Sequence, residues 1–246
     1  MLNAIRGAVG FLTRLPLGHD EAAWDAFRSR PATFPLVGYL IGGLAVLPLL
    51  APVPPATAAF GFVAWLYVLT GINHLDGVAD LGDAAVVHGD RERRREVLAD
   101  TTVGVGAVAG VALVFVALTT AGYALAQFPA RAVLIVVAAE VGAKGAVALA
   151  TCLGTATHDG LGAQFTDRLD PRNVIAPVAV AVPAVLLTWP HPSAFVALAA
   201  ALAFAVPTVS WARRTLGGVD GDVLGATAEL ARVVGLHAGV IAWTLS

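Results

Sequence analysis

Residues 103–126 read VGVGAVAGVALVFVALTTAGYALA, an uncharged run long enough to cross the hydrocarbon core of a bilayer, which takes about 20 apolar residues. Six further apolar runs, at 34–53, 56–73, 131–153, 174–190, 193–211 and 229–245, predict about seven spans in all. Glycines and prolines inside them, Gly42, Gly43, Pro48, Pro183 and Pro207, are tolerable in lipid because neighbouring helices re-satisfy the freed backbone groups. Small residues in spans three to six suit close helix packing. The composition agrees: 58% of the 246 residues are hydrophobic, 13% are charged and the mean hydropathy is +0.79. A soluble domain carries about 25% charged residues, so this chain lacks the material for a polar surface. The fold expected is an all-α polytopic transmembrane bundle, one integral membrane domain over 1–246.

A net charge of −2 argues against nucleic acid, which leaves a basic footprint on its partners. Cys152 stands alone, excluding an internal disulfide and a thiolate zinc site. Lys144 is the single lysine against fourteen arginines, and no signal-peptide pattern opens the chain. Twelve arginines fall in alternate loops: Arg6, Arg14, Arg28 and Arg30; then Arg91, Arg93, Arg94 and Arg95; then Arg168, Arg172, Arg213 and Arg214. The opposite loops hold only Arg131. That asymmetry predicts a cytoplasmic N-terminus and, with seven spans, an external C-terminus in the plasma membrane. Residues 1–33 read as an interfacial segment with an apolar stripe at Ile5, Val9 and Leu12.

Chemistry gathers in residues 74–83, HLDGVADLGD. Asp76, Asp80 and Asp83 stand at i, i+4 and i+7, one face of a helix. Three carboxylates that close repel unless a hard cation sits among them, and an oxygen-only set points to Mg²⁺, with Mn²⁺ as the alternative. The competing reading is a solvated acidic loop, since aspartate and the interleaved Gly77 and Gly82 are poor helix formers. His74 is either an interfacial histidine or an acid–base group. Arg91 to Arg95, then Asp100 and Gly104, form either a solvated positive face or a phosphate site, because guanidinium forks and glycine-exposed amides both suit phosphate oxygens. Gly217, Gly218, Asp220, Gly221, Asp222 and Gly225 make either a tight turn or a nest for a phosphate or ribose. His158 with Gly160, Leu161 and Gly162 is a weaker third element. Glu140 and Lys144 lie at i and i+4 inside span four, as a functional pair or a self-neutralising one.

In this order the elements resemble the cobalamin synthase family, the adenosylcobinamide-GDP ribazoletransferases. The resemblance covers nearly the whole chain: Phe11 to Pro16, Phe34 to Gly38, Thr70-Gly71, and the His74-Leu75-Asp76-Gly77 core with Asp80 and Asp83. It continues through Arg94, Glu96, Asp100 and Gly104 to Gly160-Leu161-Gly162 and the Arg214 to Ala226 block. It implies a Mg²⁺-dependent transfer of adenosylcobinamide phosphate from adenosylcobinamide-GDP to α-ribazole or its 5′-phosphate, with release of GMP. It also implies catalytic roles for His74, Asp76, Asp80 and Asp83, metal ligation by the three aspartates, and substrate contacts by Arg94, Arg95, Asp100, Gly104, Gly217, Gly218 and Asp222. The partners implied are the two substrates and the lipid bilayer, with oligomeric state open. Thr102, Lys144, Asp220 and Arg232 stand where the family often has other residues. A CDP-alcohol phosphotransferase would want an arginine at Asp80, an intramembrane prenyltransferase a second full aspartate motif, and a transporter acids at the midplane.

Overall fold

The computed structural model describes every residue except His19 and Thr101. Thirteen α-helices are present among the described residues, with no strand. Two short helices open the chain, α1 (Leu2–Leu12) and α2 (Glu21–Arg28). They pack together at Gly7, where a Cβ would collide with the Ala23 carbonyl. Ala4, Ala8, Val9 and Leu12 are buried, so the stripe expected at the N-terminus is the face that docks.

Five helical stretches are long and apolar enough to cross a membrane. They are α3 (Thr33–Ala45) with a 3-10 continuation to Leu50, α7 (Val105–Leu125), α8 (Leu134–Leu153) with a 3-10 lead-in, α11 with α12 (Ser193–Ala203, Ala205–Thr215), and α13 (Gly221–Leu245). A sixth candidate is α4 (Pro55–Thr70) taken with α5 (Asn73–Val86), although the two meet at 100°. The fifth expected span shrinks to Pro171–Leu186, where α10 (Ile175–Ala181) is flanked by 3-10 turns. Pro177 and Pro183 remove donors there, so a long α-helix cannot run through it. The count of seven therefore becomes five or six by length and composition, with two shorter apolar helices, Leu2–Leu12 and Pro171–Leu186, besides.

The central helix is α8, buried all round and apolar except at Glu140 and Lys144, against which α3, α11 and α13 pack. By contrast α7 is peripheral, exposing Val105, Val108, Leu113 and Val116. At the bundle end away from α5, Trp243 stacks on His191 at 4.1 Å, Phe128 stacks on Trp243, and Arg131 bonds the Trp189 carbonyl. Two short helices, α6 (Arg91–Leu98) and α9 (Leu161–Thr166), lie at the other end.

The chain departs from its expected course at α13, which starts at Gly221 rather than near 229. Asp222 and Gly225 are thus in its first two turns, and only Gly217 to Asp220 form the turn. Glu229 and Arg232, which weaken the hydropathy of this stretch, point into the bundle and are fully buried. His237 bonds the Ala117 carbonyl at 3.0 Å across to α7.

Candidate active site

The site begins at the elbow between α4 and α5. Gly71 takes φ +72 there, a left-handed conformation that favours glycine, and the Arg14 side chain fills the space a Cβ would need. Arg14 then bonds Asn73 Oδ1 at 3.0 Å. Beyond the elbow the acidic stretch is helical, so Asn73, Asp76, Asp80 and Asp83 run along one face of α5. The solvated-loop alternative fails because the opposite face, Leu75, Val78 and Leu81, is buried in the core and holds the helix.

Along this face the carboxylates divide. Asp83 Oδ2 accepts from the Gly104 amide at 2.7 Å and Oδ1 from the Ala107 amide at 2.9 Å. Asp83 is therefore the N-terminal cap of α7, supplied by a neighbouring helix. Glycine is needed at 104 because a Cβ would collide with that carboxylate. Asp76 and Asp80, in contrast, accept no hydrogen bond among the described residues. The charges of Asp76, Asp83 and Asp220 all bear on Asp80.

The last helix closes the site. Gly77 of α5 meets the Asp222 backbone, and Gly225 of α13 meets His74, so the two helices cross through their glycines. A side chain at Gly77 would push α13 away. The crossing brings the Asp222 carboxylate among the charges of Asp220, Asp80 and Asp76, with His158 as the opposing influence. Asp222 too has no hydrogen-bond partner among the described residues. Asp220 does another job: it is buried, and its Oδ1 accepts the Val223 amide at 2.9 Å as the N-cap of α13. His74 is half-buried and makes no hydrogen bond among the described residues.

The loops converge on this crossing. Val219 donates to the Thr155 carbonyl at 2.8 Å and forms an isolated bridge with Ala156. Gly162 packs on Val219 and Asp220, and Gly218 on the Thr155 carbonyl. The third motif thus buttresses the second, which explains the small residues in both. The arginines tie the far side: Arg94 Nη1 bonds the Ala84 carbonyl at 2.6 Å, and Arg91 and Arg95 bond the carbonyls of Arg214 and Leu216 at 3.0 and 2.7 Å. Gly217, at φ +91, admits the Arg95 guanidinium. Among the described residues each of these arginines keeps guanidinium donors without a partner. Asp100 Oδ1 accepts the Thr102 amide at 3.0 Å.

Beneath the site lies a buried charge network. Arg232 binds Glu140 through Nε and Glu229 Oε2 through Nη1 at 2.5 Å, and Tyr67 donates to Glu229 Oε2 at 2.9 Å. Lys144 Nζ stands 3.8 Å from Glu140 and has no hydrogen bond among the described residues. The expected Glu140–Lys144 pair is thus secondary, because Arg232 takes the carboxylate in a fork that an ammonium cannot match.

A hard cation suits the open part of this arrangement. Asp76, Asp80 and Asp222 offer only oxygen, bear on one another electrostatically and lack hydrogen-bond partners among the described residues, while Mg²⁺ binds through one or two carboxylates plus water and substrate phosphate. Among the described residues no three acid, histidine or cysteine side chains are close enough to cage an ion unaided.

A family model described as cobalamin-5-phosphate synthase matches residues 4–240. The chain belongs to that family. Similar proteins named adenosylcobinamide-GDP ribazoletransferase occur in Halorubrum lacusprofundi, 55% identical over 99% of both chains, and in Haloquadratum walsbyi, 45% identical over the full length of both. One in Archaeoglobus fulgidus is 32% identical over the full length of both. No solved structure matches the chain. Neither the Arg14–Asn73 contact nor the cap that Asp220 gives α13 is marked by any spacing in the sequence; Arg14 stands only within the Phe11 to Pro16 stretch that carries the family resemblance.

Proposed function

We propose that this chain transfers the adenosylcobinamide phosphate of adenosylcobinamide-GDP to α-ribazole or its 5′-phosphate, releasing GMP, at the cytoplasmic face of the plasma membrane. The observation that supports the reading is the crossing of α5 and α13, which brings Asp222 within electrostatic reach of Asp76 and Asp80, all three without a hydrogen-bond partner among the described residues. Its setting in a membrane protein of this family supplies the substrates.

A ribazole hydroxyl attacks the corrinoid-side phosphorus of the pyrophosphate. A new P–O bond forms, the bridging P–O bond to GMP breaks, and the hydroxyl proton passes to a base. Such transfers ask mainly for positioning and charge stabilisation. When bound, Mg²⁺ supplies Lewis-acid polarisation and neutralises phosphate charge. Asp76 and Asp80 would hold it, with Asp222 reaching the same substrate from α13. His74 or one of the carboxylates accepts the proton, and free donors of Arg94 and Arg95 attract the phosphate charge. In this reading Asp83, Gly104, Gly217 and Gly218 shape the site rather than touch the ion.

Detergent-solubilised protein given adenosylcobinamide-GDP, α-ribazole and Mg²⁺ should release GMP in step with coupled product. GMP release independent of α-ribazole, or none at all, overturns the reading.

A further inference from the structure

A cleft of about 510 Å³ lies beside the acid face, between α1, α2 and the α4–α5 elbow. That is ample for a nucleotide-sized ligand, since ligand pockets run from about 300 to 1,000 Å³. Its apolar wall is Phe11 and Trp24, with ring centroids 5.1 Å apart, backed by Phe27 and Phe165. The aromatic cluster is anchored rather than mobile: Trp24 Nε1 donates to Gln164 at 3.1 Å, and the Arg28 guanidinium sits 5.5 Å from the indole centroid. Phe11 remains partly exposed toward the cleft.

The polar wall is different in kind. Arg6 is engaged by Asp20 at 3.2 Å and by the Leu17 carbonyl, closing one side. Arg14 has no carboxylate partner among the described residues, and its one side-chain bond goes to Asn73. Asn73 heads the same stripe as Asp76, one helical turn and about 5 Å before it. Leu161, which lines the cleft, packs at 3.4 Å from where a Cβ on Gly221 would lie, next to Asp222. The cleft therefore opens onto the acid face at both of its helices.

From this juxtaposition we infer that the cleft seats the nucleoside part of a substrate. The flat heterocycle lies against Phe11 and Trp24, and its ribose or phosphate oxygens meet Arg14 and Asn73 on the way to Asp76. Aromatic faces accept any base, and an unpaired guanidinium suits phosphate. The inference rests on the proposed function, which offers two sources of this chemistry: the guanosine of the donor and the benzimidazole riboside of the acceptor.

The test measures binding of GMP and of α-ribazole 5′-phosphate to the full chain in lipid nanodiscs by calorimetry. Wild type is compared with Trp24→Leu, Phe11→Leu and Arg14→Gln, the last keeping a partner for Asn73. Hydrogen exchange of residues 6–24 in wild type, with and without each nucleotide, gives a readout that needs no variant. One nucleotide should lose about tenfold or more in affinity in the variants, as expected for a lost base–aromatic stack, and should protect residues 6–24. The other should do neither, which identifies the source. If wild type turns over but both nucleotides bind every variant unchanged and leave residues 6–24 unprotected, the cleft assignment falls and the proposed function stands. If wild type neither binds either nucleotide nor turns over, the proposed function falls and the cleft assignment with it.

Discussion

At the scale of single residues, the five aspartates at the acid face divide into two kinds, and substitution should separate them. Asp83 and Asp220 each cap a helix, and losing a capping acceptor costs about 1–2 kcal/mol. Asp83→Ala should therefore lower the thermal midpoint in detergent, while Asp83→Asn, which keeps an acceptor, should lower it less. A stable Asp83→Ala protein that has lost only its Mg²⁺ response would return Asp83 to the metal. Asp220→Thr should be tolerated because threonine also caps, whereas Asp222→Asn and Asp80→Asn should lose at least tenfold in turnover with unchanged melting. Equal losses for Asp220→Thr and Asp222→Asn would refute that division, and GMP release is the measurement. The i, i+4, i+7 spacing made the face legible in the sequence. What each carboxylate touches depends on Gly104 and Val223, contacts made in three dimensions, so spacing could not divide them.

Between elements, the buried network decides how α4, α8 and α13 sit beneath the site. Asp222, Gly225, Glu229 and Arg232 lie at successive three- and four-residue steps on α13, one stripe running from the acid face into the bundle. Arg232 therefore fixes the height of Asp222 by holding Glu140 of α8, and Tyr67 of α4 joins through Glu229. Removing one member of a buried pair costs about 3–5 kcal/mol because the other is left unpaired. Glu140→Gln and Arg232→Gln should each melt far below wild type, and the double variant should lose less than the sum of the two single losses. Additive losses would show that the two residues are not coupled. The sequence exposed Glu140 and Lys144 because they are four apart. Arg232 stands 92 positions from Glu140, and no local pattern marks such a pair. The start of α13 was hidden for a related reason. Its glycines read as turn residues, but at Gly225 the missing side chain admits α5, and packing overrides the low helix propensity.

Across the whole molecule, apolar length revealed the class of fold and most of the helices, while the elbow at Gly71 and the prolines of Pro171–Leu186 changed the number that pass the length test. What a membrane must see is a question of ends. Asp83 with Gly104, Gly77 with Asp222, and Thr155 with Val219 gather one set of helix ends at the acid face. His191 with Trp243 and Ser246, and Arg131 with Trp189, gather the other set. The twelve arginines of the alternate loops fall with the first set and Arg131 with the second, so the positive-inside rule predicts a cytoplasmic acid face. Single cysteines introduced in a Cys152→Ala background would test this. His88 and Asp159 are exposed at the acid face, and Val53, Gln127 and Ser246 are exposed in the opposite set. In intact cells an impermeant maleimide should label the last three and spare the first two until the membrane is opened. Reversal of the whole pattern would turn the protein over and move the chemistry outside. Labelling of His88 and Asp159 from different sides would be more damaging, because α5 and the Gly160–Gly162 buttress could then not meet, and no single site could contain Asp76 and Asp222.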